Sequence, residues 1–310
     1  EICKMAIAIQ NQNFGVEIEL TGITRSHAAR IIAMYYGTNS SHVGTCYDTY
    51  TATDRKGRTW KAMSDSSIVA TKKENDVQVS ADSSYKCEIV TPILQYDDIE
   101  DLQEIVRKLV KGGAVANSSC GIHVHVDGAN HTPQSLTRLM NFAIGRQDLF
   151  YEALQIGDRA NRWCHKISRD LLNAMKKDHE KTPHSMEAIW YSKANDGYNG
   201  GIDHQHYNST RYHGINLHAF FTKGTVEFRL FNGTTHAGKI KAYIQFCLAM
   251  SAWAINAPDK MYYKSCASYT TAQKATLMMN VLTRRLGMTG AEFKTARLHL
   301  TSAFIQLQAA

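Results

Sequence analysis

Several features that would assign the chain to a common protein class are absent from its 310 residues. No apolar stretch approaches the length that spans a bilayer, and the first residues carry no secretory signal, so we expect a cytoplasmic protein without membrane contact. The seven cysteines have no regular spacing and form no CxxC pair, which argues against a disulfide framework and a thiolate zinc site. Neither a Walker loop nor a Gly-rich dinucleotide motif occurs, and these nucleotide-binding classes are therefore excluded.

Strong charge bias is also missing. The formal net charge is +7, with 20% charged and 44% hydrophobic residues, which is typical of a folded globular protein. Basic residues form no run with interleaved aromatics, so we expect no nucleic-acid partner. The mild positive charge fits two interpretations, a generally basic surface or attraction of anionic ligands such as nucleotide phosphates and carboxylates.

Four short segments alternate apolar residues with residues that bind metals or phosphate. They are Val16–Leu20, Cys87–Val90, Ile122–Asp127 and Val226–Leu230. Successive side chains of a strand point to opposite faces, so three pairs each share a face: Glu17 with Glu19, His123 with His125, and Glu227 with Arg229. Such a concentration of polar groups is costly unless cations hold it together, which makes these strands the predicted centre of the chemistry.

The pattern along the rest of the chain predicts an α+β protein. Helices are expected at residues 25–36, 98–111, 132–154, 162–178, 238–256, 271–286 and 290–307. Strands and helices do not alternate regularly, which favours a curved, mostly antiparallel sheet with helices on its apolar convex face and an open polar concave face. Residues 1–256 are expected to form one catalytic domain, with 257–310 as C-terminal helices packed on it.

Three stretches of this expected domain have a distinct local character. Residues 38–84 are predicted as a strand-rich elaboration with strands at 45–51 and 59–63, and residues 179–209 as an irregular flap. Residues 211–218 and 224–231 are predicted as two strands of a hairpin that turns near Gly224.

Each polar pair alone has an ordinary explanation beside a functional one. Glu17 and Glu19 suit Mg²⁺ or Mn²⁺, but a Glu-x-Glu pair also occurs on solvated edge strands. His123 and His125 are either ligands or phosphate contacts, or satisfied polar residues of a strand. Glu227 with Arg229 is either an intrastrand salt bridge or part of a site. Together with Arg211, whose guanidinium suits bidentate phosphate binding, they favour a metal–nucleotide site for phosphoryl transfer.

The same motifs, in this order, resemble the amidoligase family of the carboxylate–amine ligase superfamily, which includes glutamine synthetase and glutamate–cysteine ligase. The resembling segments are Phe14–Leu20, Trp60 with Ser64–Ile68, Glu88–Pro92, Cys120–Val126, Arg211–Asn216 and Val226–Phe231. They span roughly residues 13 to 250. The chain departs from the family pattern at Ser66, where the family usually has glycine.

The resemblance implies a glutamine synthetase or glutamate–cysteine ligase-like catalytic fold and an ATP-dependent, amide-forming ligase that works through an acyl phosphate. It implies ATP and Mg²⁺, with Mn²⁺ as an alternative, and a small-molecule or peptide carboxylate and an amine as substrates; a homo-oligomer is left open. The implied metal ligands are Glu17, Glu19, Glu88, His123 and Glu227. By the same resemblance Arg211 and Arg229 steady the phosphoryl group, His125 and Asn216 contact nucleotide or substrate, and Asp65 orients the amine.

Two alternatives remain at this point. One is a zinc-type metallohydrolase that uses His123 and His125, which would retain tightly bound stoichiometric zinc, whereas a ligase would bind Mg²⁺ weakly and with nucleotide. The other is a non-catalytic module on a ligase fold that binds a nucleotide or a peptide without releasing ADP.

Overall fold

The chain divides into two units in the computed structural model, which describes residues 6–194, 201–258 and 268–309. The sheet unit comprises Asn13–Val124 and Phe231–Tyr243. The helical unit comprises Glu1–Gln12, His125–Leu230 and Ile244–Ala310.

The sheet unit is built on antiparallel strands with two helices. Its elements are β1 (Phe14–Leu20), α1 (Arg25–Tyr36), β2 (Ser40–His42), β3 (Tyr50–Thr53), β4 (Thr59–Met63), β5 (Thr71–Glu74), β6 (Val77–Ser80), β7 (Cys87–Val90), α2 (Ile99–Lys111) and the start of β8 (Gly121–Asp127). The sheet order is β2-β3-β4-β7-β1-β8, while β5 and β6 pair separately. The pairings from β2 to β1 are antiparallel, which confirms the predicted α+β class with a large antiparallel sheet.

Local sequence explains why helices cover one face of this sheet. The alternation of β1 buries Val16, Ile18 and Leu20, and α1 packs against β3, β4 and β7. The helix begins after Thr24, whose side chain accepts a hydrogen bond from His27 N, and it ends at Gly37 with φ 71°. Because the apolar side chains of the strands point at the helices, the intervening polar side chains point the other way.

The helical unit surrounds a second core. Its elements are α3 (Pro133–Ile144), α4 (Gln147–Ala153), α5 (Arg169–Lys177), α6 (Pro183–Lys193), β9 (Ile215–Asn216), α7 (His218–Lys223), most of β10 (Thr225–Asn232) and of α8 (Ala237–Asn256), α9 (Thr271–Asn280), a π-helical turn (Val281–Arg285) and α10 (Lys294–Ala309). Phe150 lies edge-on to Phe246 at 5.2 Å between ring centroids, inside this core. Among the described residues, no helix is both long and apolar enough to cross a membrane.

The predicted hairpin around Gly224 is wrong in its connection. Strands β9 and β10 do pair antiparallel, with Glu227 opposite Asn216, but helix α7 joins them instead of a tight turn. The Asn216 side chain accepts a hydrogen bond from His218 N and so stabilises the start of this helix. Gly224, with φ 72°, ends it.

Other boundaries also differ from the predictions. The helix predicted over 132–154 breaks into α3 and α4 around Gly145, and the helix predicted over 162–178 begins only at Arg169. The strand predicted over 45–51 forms only from Tyr50. The segment 179–209 is not irregular throughout, because Thr182 caps helix α6 and Pro183 occupies its first turn. Residues 195–200 of that segment and 259–267 of the predicted C-terminal helices lie outside the described residues.

Cysteines of the described residues carry no disulfide, as predicted. Cys46, Cys87, Cys164 and Cys247 are thiols without a disulfide, and all but Cys46 are buried, as is Cys120. Burial raises the pKa of the Cys87 thiol to about 12, which keeps this residue protonated and unreactive.

The buried His131 predicts a pH-dependent stability of the helical unit. Its ring nitrogens lie 3.0 Å from Ser135 Oγ and 2.9 Å from Ser251 Oγ, and burial, reinforced by Arg138, lowers its pKa to about 4. Since the folded-state pKa is below the unfolded value of about 6.5, the unfolded state binds more protons between pH 6.5 and 4. We therefore expect its contribution, about 3 kcal/mol, to be complete above pH 6.5 and lost as pH falls toward 4.

Urea unfolding of the wild type and of His131→Gln, at pH 7.5 and at pH 5, measures the contribution of His131 to the unfolding free energy. Glutamine keeps a donor and an acceptor for the two serines but does not titrate. The loss of unfolding free energy between the two pH values should be smaller in the variant. An equal loss in both proteins would show that His131 is not the titrating group.

Candidate active site

The carboxylate–histidine cluster of the sheet unit consists of Glu17, Glu19, Glu88 and His123. In the β1–β7 register Glu19 lies directly opposite Glu88, and Ile18 lies opposite Ile89 on the other face. Glu19, Glu88 and His123 are 4%, 8% and 3% exposed. Two carboxylates directly opposite each other and this far from water repel unless a positive charge lies between them.

The contacts of His123 show how such a charge would be held. Its Nδ1 lies 2.9 Å from Glu17 Oε2, and its Nε2 lies 3.7 Å from Glu19 Oε1. The other oxygen of Glu19 accepts a hydrogen bond from Gly121 N at 2.6 Å. One ligand atom each from Glu19, Glu88 and His123 all lie within 4.8 Å of one another. Carboxylate oxygens with one imidazole nitrogen suit Mg²⁺ or Mn²⁺, and they are compatible with zinc.

A second buried polar group, in the helical unit, centres on Glu227. This carboxylate is 2% exposed and accepts a hydrogen bond from Asn216 Nδ2 at 2.6 Å and from Arg229 Nη1 at 2.5 Å. Arg229 also donates from Nε to the Trp163 carbonyl at 3.3 Å. The antiparallel pairing of β9 with β10 places Asn216 beside Glu227, so the network depends on that register.

The two histidines of β8 have different partners. His125 Nδ1 lies 3.0 Å from Thr225 Oγ1, and His125 Nε2 lies 3.9 Å from Glu227 Oε1. His123, by contrast, is held between Glu17 and Glu19.

A cavity of about 200 Å³ in the helical unit adjoins the Glu227 network. Asn216 and Glu227 form part of its lining together with Arg211, His218 and Lys223. Arg211 donates from Nη1 to the His206 carbonyl at 2.8 Å, which fixes its guanidinium at the wall. The structure thus brings Arg211 to the same cavity as Asn216 and Glu227.

Asp65 lies in the segment between β4 and β5. Its Oδ1 accepts a hydrogen bond from Ser67 N at 2.6 Å, which closes a turn between β4 and β5. Within the described residues, the hydrogen bonds of the Asp65 side chain are confined to this turn. Ser66 has a negative φ here, so the turn forms without the glycine usual in the family.

Comparison with known proteins identifies the family. The model of the family described as "Putative amidoligase enzyme" matches residues 10–251. These residues contain both the carboxylate–histidine cluster and the Glu227 network. The chain belongs to the amidoligase family. No curated protein matches it.

The fold of this amidoligase was also compared with solved structures. The crystal structure of a bifunctional glutathione synthetase from Pasteurella multocida is similar with a TM-score of 0.38 and 13% sequence identity. The likeness covers 97% of this chain and 49% of that protein, so this chain spans about half the length of the protein that it resembles.

The cavity beside the Glu227 network is lined by residues that the sequence did not indicate. His218 and Lys223 line the cavity, and Tyr191 contacts His218 with its hydroxyl 2.7 Å from Nδ1. Burial, followed by the charge of Arg211, lowers the pKa of His218. The strand predicted over 211–218 would place Asn216 and His218 on one face, because they are two positions apart. In the structure His218 begins the short helix α7, and from there it lines the cavity. No motif in the sequence around Lys223 or Tyr191 indicates a place at the cavity.

Proposed function

We propose that the protein is an ATP-dependent carboxylate–amine ligase that forms amide bonds. The main support for this proposal is the buried carboxylate–histidine cluster in a chain of the amidoligase family. In the proposed reaction, a substrate carboxylate oxygen attacks the γ-phosphorus of ATP, and ADP leaves. An amine nitrogen then attacks the acyl carbon, phosphate leaves, and the nitrogen loses a proton to give the amide.

The donor set of the cluster fits the metal ions that this reaction needs. In this proposal Glu17, Glu19, Glu88, His123 and Glu227 supply the ligands, and Mg²⁺ or Mn²⁺ would neutralise phosphate charge when bound. The contact with Glu17 orients the imidazole of His123, as carboxylates commonly do for ligand histidines. The closeness of Glu19, Glu88 and His123 supports this assignment most directly.

The cationic residues support the handling of phosphate. Arg211 and Arg229 would steady the phosphoryl group, because guanidinium groups donate to phosphate oxygens where charge develops. Arg229 donates a hydrogen bond to Glu227, and Arg211 donates one to the carbonyl of His206. Both guanidinium groups are therefore already held in place before they bind the phosphoryl group. His125 and Asn216 are proposed to contact nucleotide or substrate. Asp65, whose Oδ1 accepts a hydrogen bond from Ser67 N, is proposed to orient the amine.

The metallohydrolase alternative has less support. A hydrolytic zinc site on the His-x-His pair would need both imidazoles on one ion. Among the described residues, His123 belongs to the groups of side chains close enough to hold one metal ion, whereas His125 belongs to none of them. Metal analysis after purification separates the two functions, because retained stoichiometric zinc would favour the hydrolase.

Release of ADP and phosphate tests the ligase directly. We expect ADP release that requires Mg²⁺ together with a carboxylic acid and an amine, and a product whose mass equals the acid plus the amine minus water. The assay uses a panel of amino acids and short peptides as acids and ammonia, amino acids and polyamines as amines. Nucleotide binding without ADP release across the panel would favour the non-catalytic module. Hydrolysis of an amide without ATP would overturn the ligase proposal.

A further inference from the structure

A groove between helices α3, α5 and α6 of the helical unit shares no lining residue with the cavity beside the Glu227 network. Its volume is about 180 Å³. We name it the amide groove and define it by six side chains that carry amide, thioether or ammonium groups: Gln134, Asn141, Met175, Lys176, Lys181 and Met186. All six lie on these three helices or in the connection between α5 and α6, so the groove is formed within one unit.

The two amides of the groove lie on one face of α3. Gln134 and Asn141 are seven positions apart, which is about two helical turns and about 10 Å along the helix axis. Both residues are half-buried. Among the described residues, neither side chain has a hydrogen-bond partner. Each amide therefore offers a ligand both an acceptor oxygen and donor N–H groups.

Two methionines supply the apolar part of the lining. Met175 on α5 and Met186 on α6 are 2% and 1% exposed, so they lie beneath the polar side chains. A methionine side chain is unbranched and adapts to the shape that packs against it. The groove therefore selects a ligand through its amides and charges more than through its shape.

The charged side chains that line the groove leave it positive. Lys176 and Lys181 are exposed, and neither forms an ion pair with any part of the chain that the structure describes. Arg138 also lines the groove but donates from Nε and Nη2 to carbonyls at the end of α8, so we do not count it as a ligand contact. The acidic residue of the described lining, Asp178, accepts a hydrogen bond from Ser185 Oγ at 2.7 Å. Three cationic side chains thus face one carboxylate that is already engaged.

The backbone at Lys181 does not account for a lysine at this position. Its φ is 48°, a left-handed conformation that favours glycine or asparagine. The connection between α5 and α6 would therefore form more easily with another residue. What lysine adds there is an ammonium group beside the groove.

We propose that the amide groove docks an extended acidic peptide, with the peptide backbone on Gln134 and Asn141 and its carboxylates on Lys176 and Lys181. A peptide backbone presents both N–H and C=O groups, which match side-chain amides that donate and accept. A small acid or an inorganic anion presents only acceptor oxygens. The span of about 10 Å between the two amides corresponds to about three residues of extended chain. The inference does not rest on the proposed ligase function, because docking requires neither ATP nor a metal ion.

Fluorescence anisotropy of the full chain with labelled tetrapeptides tests the docking. The probes are tetraglutamate and tetraglutamine with blocked C-termini and tetraalanine with a free C-terminus, and unlabelled succinate is a competitor. We expect tetraglutamate to bind at least ~5-fold more tightly than tetraglutamine, because one exposed ion pair contributes up to about fivefold in affinity. Succinate at the concentration of the peptide should displace little of it. Tetraalanine binding as tight as that of tetraglutamate would identify a C-terminal carboxylate as the group that the lysines recognise.

Four variants locate the peptide in the groove. Lys176→Met and Lys181→Gly should each weaken tetraglutamate binding about threefold, and glycine suits the left-handed backbone at position 181. Asn141→Ala should weaken tetraglutamate and tetraglutamine alike, about fivefold, because a hydrogen bond to the peptide backbone is lost. Lys177→Met is the matched control and should leave the affinity unchanged, since Lys177 is an exposed lysine of α5 that does not line the groove.

Three results would overturn the proposal. Equal losses of affinity in Lys177→Met and Lys176→Met would show that the peptide binds the basic surface in general. Unchanged affinity in Asn141→Ala, with circular dichroism showing a folded protein, would show that the amides do not hold the peptide. Absence of binding for all three peptides would remove the docking function, and it would leave the ligase proposal untouched.

Discussion

Replacing Glu88 by glutamine is expected to lower the rate of ADP release at least ~10²-fold without lowering the stability of the metal-free protein. Glu88 lies opposite Glu19 on the neighbouring strand and is 8% exposed, so the two charges repel when no cation is present. Removing one of them relieves a repulsion of about 0.2–1 kcal/mol and at the same time removes a proposed metal ligand. Loss of activity and retention of stability should therefore coincide in one variant.

Metal-dependent stability provides a readout that needs no substrate. At a Mn²⁺ concentration about 100 times the dissociation constant, binding should stabilise the wild type by about 2.7 kcal/mol, and Glu88→Gln should lose most of this gain. Glu104→Gln is the control, because Glu104 lies on α2 with a half-exposed side chain and pairs only with Arg107 among the ion pairs of the described residues. A variant that releases ADP at the wild-type rate and keeps the full Mn²⁺ effect would remove Glu88 from the metal site.

Replacing Arg229 by methionine is expected to lower the unfolding free energy by about 3–5 kcal/mol. Arg229 and Glu227 are 5% and 2% exposed, and their contact is 2.5 Å long. The variant leaves a buried carboxylate that keeps its hydrogen bond from Asn216 but loses the opposite charge of Arg229. Denaturant unfolding followed by circular dichroism measures the loss.

The double variant Glu227→Gln with Arg229→Met separates a buried-charge effect from a packing effect. Removing both charges should recover much of the lost stability, because the main penalty comes from the uncompensated carboxylate. Arg107→Met is the control, since Arg107 and Glu104 form an exposed pair that should contribute less than about 1 kcal/mol. If the single variant unfolds at the wild-type denaturant concentration, the Glu227–Arg229 pair is not desolvated in solution.

Local patterns predicted most of the elements that carry the site. The alternation of β1, β7, β8 and β10 was sufficient to place Glu17 with Glu19, and Glu227 with Arg229, on common faces, because strand periodicity is a property of consecutive residues. Helix α1 was predicted over its observed range, since Gly37 is a local stop signal. The family also followed from these motifs, because they lie in the match over residues 10–251.

The predicted tight turn between β9 and β10 was wrong, because one partner of Asn216 lies on the neighbouring strand. Helix α7 replaced a tight turn because Asn216 caps it while also donating to Glu227 across the strand pair. The contact between Asn216 and Glu227 depends on the register of β9 and β10 and cannot be obtained from the neighbouring residues alone.

The sequence by itself determined which residue types share a strand face, where several helices begin and end, and to which family the chain belongs, because each is set by short-range order. Only the tertiary structure decided that Glu19 lies opposite Glu88, that His123 joins them in a group that could hold a metal ion, and that the hydroxyl of Tyr191 lies against His218. The physical reason is that register and side-chain partners are selected by the packing of segments that are far apart in the chain. Spacing along one segment contains no information about the segment that will lie beside it.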